Sequence, residues 1–472
     1  MIKYIKVIFM SLALFLASCQ NLVDDINDNP NDILITDIDA ELFLTGAMLA
    51  NSVAQGGHLA RIGAMYSGQL VGLSSLYSNI YGFSLSTAES VATWSRYYVG
   101  TIPNLRHIRN IAPNDRLIVG IAKVLEAHAI GTAASLFGDI PYTEINNPDI
   151  SDPVFDDQES VFNAMIALLE DASGDLGATN SRSLPADIYF EGDAQRWVEA
   201  ANTLKARYHL QMKDYAAAYA AAQNGISDGA GSMQFKPRGD ASISSGDKNL
   251  FWEILEGSRA GDIGTANSYM IQLLDTANTA SRNNAKTNEG ARLGYYSIDP
   301  SGGSANSGVI EQFEPQNLVS YAENQLILAE AGARTNGFAT GLGHLNELRA
   351  WLNTGAMVNA NFNTLPIQYD AYEDPDFEAG GMENADGIDK TRALIREIIE
   401  ERYISGFLMY MPYNDARRLR ASDSDVAVPY ILVDGPNPPY PERMPYSDDE
   451  LNSNENAPSE DPGIFTKTKV NQ

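Results

Sequence analysis

The sequence predicts a mostly α-helical protein, about four tetratricopeptide-like helical hairpins interrupted by long irregular insertions. Three observations predict it. First, Tyr321 to Leu352 reads as two helices back to back. Ala322, Leu326 and Ala329 fall on one helical stripe, and Leu342, Leu345, Leu348 and Leu352 fall on another. Second, Gly332 and Asn336-Gly337 separate these stripes with residues that tolerate a helix end. Small alanines in the first helix let the second approach closely, and such a hairpin buries its outer apolar surface only against neighbours. Third, similar pairs recur along the chain, at irregular spacing.

Taken in order, the chain begins with Lys3 and Lys6 ahead of an apolar run from Val7 to Leu16. The run is too short for a permanent membrane span and reads as a secretion signal over 1–18. Leu16-Ala17-Ser18-Cys19 then forms a bacterial lipobox around the only cysteine. Cys19 is therefore the expected lipidation site and the new N-terminus. Each buried lipid methylene contributes about 0.8 kcal/mol, so two or more acyl chains anchor stably. No thiol is then left for a disulfide, a metal or a nucleophile. Residues 19–38 are polar, acidic and broken by Pro30, as a tether should be. Residues 39–472 form one domain.

Ala40 to Ser52 is a short apolar helix, followed by a Gly-, Ser- and Tyr-rich section from Gly56 to Gly100. Asp115 to Phe137 is a long helix stopped by Pro141, whose ring blocks a further turn. Its partner starts near Gln158. Asp193 to Lys213 and Tyr215 to Gln223 make the second pair, the Tyr321–Leu352 hairpin a third, and a fourth begins near Ile388. Insertions at about 225–308 and 357–387 break this rhythm, and segments this long are usually functional or disordered. No apolar run after the signal is expected to cross a membrane.

Several segments together resemble the SusD/RagB family of outer-membrane nutrient-binding lipoproteins of Bacteroidetes. Ala322-Glu-Asn-Gln-Leu-Ile-Leu-Ala-Glu-Ala331 is similar to that family's Ala-Glu-x-x-Leu-x-x-Ala-Glu-Ala helix. Gly138-Asp-Ile-Pro-Tyr142, the pair around Leu204 to Ala222, and the Ile395-to-Arg420 region look like further family motifs. Asp24 and Asp25 behind the lipobox and Pro441-to-Asn456 near the end resemble its two ends. The resemblance implies a SusD-like fold, a surface-exposed location on the outer membrane, and no catalysis. It also implies capture of oligo- or polysaccharide for a SusC-like TonB-dependent transporter. RagB-like peptide receptors share the architecture, so glycan and peptide both stay open.

The residues themselves narrow the chemistry. The balance of 32 Lys and Arg against 61 Asp and Glu leaves −29, which argues against nucleic acid and anionic lipid as partners. His58, His107, His128, His209 and His344 never fall at metal-ligand spacing, and no hydrolase motif occurs. A surface glycosidase would need a carboxylate pair, and none stands out. No cofactor is expected, a structural calcium ion among the acidic loops aside.

Glycan binding needs flat aromatic rings with polar groups between them. Tyr77, Tyr81 and Trp94, whose neighbours are polar, are the first candidates. By position in the resemblance, Tyr295 and Tyr296 join them, with Arg259 and Asp262 as hydrogen-bonding partners. Trp197, Trp252 and Trp351 sit beside apolar runs and are expected in the core.

Overall fold

The computed structural model describes residues 39–239, 246–302 and 305–472. The secretion signal, Cys19, Asp24 and Asp25 lie outside the described residues.

Nine helices carry the frame. They are α1 (Ala40–Gly56), α2 (Arg116–Phe137), α3 (Gln158–Gly177), α4 (Ala194–Gln211), α5 (Tyr215–Ala222), α6 (Tyr321–Thr335), α7 (Phe338–Leu352), α8 (Lys390–Ser405) and α9 (Met411–Arg420). Helices α2/α3, α4/α5, α6/α7 and α8/α9 are the four expected pairs, and each pair packs on the next. Aspartates start many of these helices for one reason: the first turn leaves backbone N–H groups unpaired. Asp115, Asp157, Asp193, Asp214 and Asp389 each accept from such a group. Their negative charge also suits the helix dipole.

Close packing comes from small residues where helices meet. A Cβ on Gly131 of α2 would lie 2.1 Å from the Tyr208 ring of α4, so only glycine fits there. Tyr208 in turn donates to the Ala127 carbonyl at 2.7 Å. A Cβ on Gly341 of α7 would sit 2.5 Å from the Ala333 side chain of α6. The small-residue contact expected in this hairpin is therefore real.

Buried charges tie the pairs together, which the apolar stripes do not disclose. In α6, Glu330 is fully buried and pairs with Arg402 of α8, with Arg418 of α9 at 2.9 Å and with Arg334 at 2.9 Å. Burial alone would raise this carboxyl, but the three guanidiniums outweigh it and hold it well below the usual range. Glu323 likewise takes Arg207 of α4 at 2.5 Å.

Helix α2 departs from expectation in one respect. By length and composition it could cross a membrane, contrary to the sequence reading, because its alanines and glycines sustain apolarity around Lys123 and Glu126. It is instead 89% buried along its most apolar stretch and forms the centre of the core. His128 lies within it, wholly buried beside Asn51, and burial pushes the imidazole well below its ordinary pKa.

The two insertions are more ordered than their composition suggests. The first holds short helices at Leu250–Leu255, Tyr269–Leu274 and Gly290–Tyr296. Two-stranded antiparallel ladders tie the insertions to the frame. Met233–Phe235 pairs with Gln316–Val319, Val71–Gly72 with Ile263–Gly264, and Thr287–Asn288 with Gln368–Tyr369. The last ladder joins one insertion to the other. A fourth, Ile140–Pro141 with Phe155–Asp156, closes the α2–α3 turn.

Candidate ligand-binding site

A cavity of about 740 Å³ opens between the first insertion, the Met233–Phe235 ladder and the ends of α7 and α8. Its size suits a small molecule or a few units of a polymer. Each wall has a simple origin. Residues 290–296 form a short helix whose last turn presents Tyr295 and Tyr296. These rings lie 5.3 Å apart and continue to Phe407, 5.3 Å from Tyr296. The last turn of α7 brings Trp351 to the same cavity, seated 5.4 Å from the Tyr321 ring. The tyrosines are nearly buried, whereas Trp351 is half-buried and is the broadest aromatic surface left open.

Polar groups occupy the rim. The ladder alternates side chains, which places Gln234 and Asn317 together, joined at 2.8 Å. Arg196 meets Asp228 at 3.0 Å. Glu314 accepts from the Tyr295 hydroxyl at 2.8 Å and from Asn359 Nδ2 at 3.0 Å. Burial holds its carboxyl above the usual carboxylate range. Rings beside amides and one carboxylate can stack an apolar face and order a ring of hydroxyls around it. Among the described residues, no group of His, Cys, Asp or Glu is placed to hold a metal ion.

Tyr295 and Tyr296 are the two sequence candidates that the fold brings together at this cavity. The other five lie elsewhere, and three of them correct the expectation of solvent-facing rings. Trp94 is only 5% exposed. It stacks on Tyr98 at 4.7 Å and meets Phe137 and Tyr446 edge-on. Its polar sequence neighbours misled, because a distant C-terminal segment covers it. Tyr77 and Tyr81 do share one helical turn, but both are buried. Tyr77 accepts from Arg61 Nε at 2.7 Å, and Tyr81 donates to the Val433 carbonyl at 2.9 Å. Arg259 and Asp262 face each other at 3.6 Å, and Asp262 accepts from Ser74 at 2.6 Å. They fasten the Val71–Gly72 ladder and are absent from the cavity wall.

Trp351, Glu314, Gln234 and Asn317 are cavity residues that the sequence reading did not single out. Trp351 was expected in the core beside Leu348 and Leu352, and it lies at the edge of that stripe. Trp252 is also half-buried rather than core, with Lys248 Nζ 5.3 Å from its ring. Trp197 is fully buried as expected, and its Nε1 donates to Asp187 at 2.7 Å.

A helical-repeat frame bearing an aromatic-lined cavity on ordered insertions defines a class of binding protein. The model of the SusD-like family described as "starch-binding associating with outer membrane" matches residues 30–412, and the chain belongs to that family. Solved structures agree on the fold. A SusD/RagB family protein from Bacteroides thetaiotaomicron superposes with TM-score 0.66 at 17% identity, over 89% of this chain and 95% of that one. A SusD homologue from Bacteroides uniformis gives 0.66 at 18%, over 92% and 100%. A chitin-binding SusD homologue from Flavobacterium johnsoniae gives 0.65 at 16%, over 91% and 98%. No curated protein sequence matches the chain.

Proposed function

We propose that this chain is a cell-surface lipoprotein that captures oligo- or polysaccharide in the Trp351 cavity and delivers it to a SusC-like TonB-dependent transporter. The lipid on Cys19 holds it at the outer membrane. No bond is made or broken: aromatic contact with sugar C–H faces and hydrogen bonds from the rim supply affinity. The observation that carries this reading is that half-buried Trp351 lines one polar-rimmed cavity together with Tyr295 and Tyr296. Membership of a family described by starch binding and outer-membrane association supports it.

Calorimetry against a panel of neutral, amino and acidic oligosaccharides tests the reading. Trp351→Ala should weaken binding of the glycan that scores by about 1–3 kcal/mol, as expected for an aromatic anchor. Binding of short peptides in place of every glycan would transfer the cavity to the peptide receptors of this architecture. Product formation that scales with protein would overturn the non-catalytic part.

A further inference from the structure

Among the described residues, Glu314 is the carboxylate of the cavity wall that no basic side chain balances. Its two oxygens accept from Tyr295 and Asn359, which are both neutral donors. Among the described residues no ion pair joins it to an Arg, Lys or His, and the Glu311 carboxylate adds to the upward push of burial on its carboxyl. Among the described residues of the wall, the cation Arg196 is already paired, with Asp228 at 3.0 Å and with Glu199 at 3.1 Å. A half-buried carboxylate without a counter-charge is costly, and that cost is recovered when a ligand brings the cation. Aromatic rings next to it add attraction for the same cation. The net charge of −29 acts in the same direction at long range.

We propose that the cavity selects a glycan carrying free amino groups, a 2-amino-2-deoxyhexose polymer, with one ammonium seated on Glu314 between Tyr295 and Asn359. This rests on the glycan reading of the same cavity and narrows it. Trp351 then stacks on a sugar face, and Gln234 and Asn317 take hydroxyls. Acidic glycans are rejected, because a uronate or sulfate would face Glu314 with no basic group free to receive it.

Calorimetry at pH 6 on the full lipid-free chain decides this with three length-matched probes: glucosamine hexamer, N-acetylglucosamine hexamer and galacturonic acid hexamer. The wild type should bind the glucosamine hexamer at least ~10-fold more tightly than the acetylated one, and the acidic hexamer not at all. Glu314→Gln, and Glu314→Ala as a second variant, should erase that preference with unchanged melting temperature. A preference that survives both variants would be general attraction of a polycation to an acidic protein, and would overturn the inference. So would equal or tighter binding of the acetylated hexamer. If such a hexamer still binds and loses affinity in Trp351→Ala, the glycan reading stands while the amine selection falls. Binding of trilysine with none of the three hexamers bound would overturn both.

Discussion

Gly229 lies so close to Trp351 that a Cβ placed on it would be 2.7 Å from the indole Nε1 and about 3.0 Å from the ring carbon beside it. The first insertion thus packs against the edge of the α7 tryptophan and sets the angle at which its face meets the cavity. Gly229→Ala should force the ring to shift and weaken glycan binding about tenfold, or roughly 1.4 kcal/mol. The Tm should change little, because the ring is already half open to the cavity. Paired calorimetry and thermal melts check it.

Trp94 should behave in the opposite way. Its ring is packed by Tyr98, Phe137 and Tyr446, and the Ser90 hydroxyl nearby donates to the Pro445 carbonyl at 2.6 Å. Trp94→Ala removes the piece that joins the early section to the C-terminal tail. A cost of about 3–5 kcal/mol is expected from chemical denaturation. Glycan affinity of the folded fraction should be unchanged.

The Glu330 cluster makes a stability prediction. Glu330→Gln would remove one of the two carboxylates that buried Arg402 and Arg418 share, leaving only Asp415 between them. Breaking such a cluster from one side costs about 3–5 kcal/mol at neutral pH.

The same residue fixes a pH dependence. Its folded carboxyl lies well below the usual range, so the unfolded chain binds the proton first as pH falls. The stabilisation is therefore complete above the unfolded value, near pH ~4.3, and declines as pH drops below it. The stability gap between wild type and Glu330→Gln should be widest at neutral pH and narrow toward pH ~3. A gap that widens in acid would reverse the assignment.

Cys19→Ala should release the protein from membranes without altering its melting curve. Fractionation of cells lacking a partner transporter measures it, and a variant still found in the membrane pellet would contradict lipid anchoring.

The repeat frame was legible in the sequence because local chemistry writes it. Helical stripes such as Leu345, Leu348 and Leu352 mark which face is buried and aspartates mark helix starts, whereas the long helix is ended by Gly138 at φ 87°, ahead of the expected stop at Pro141. Those signals act within a turn or two of chain, and the hairpins of this fold are themselves local. The four pairs occur in the expected order, and the SusD-like resemblance rests on motifs such as Ala322–Ala331 and Gly138–Tyr142 rather than on the pairs.

Which aromatic rings stay open to the cavity was decided by the tertiary structure alone. Trp94 has polar neighbours and Trp351 sits beside an apolar run, yet neither stretch says what will cover the ring. Tyr446, which follows Trp94 by hundreds of residues, buries the first. The ladder between Met233–Phe235 and Gln316–Val319 brings Gln234, Gln316 and Asn317 to the lining of the cavity that the second also borders. The buried pairing of Glu330 with Arg402 and Arg418 is equally long-range. By itself the sequence determined the helices and their order; contacts between distant segments determined where the protein stays open.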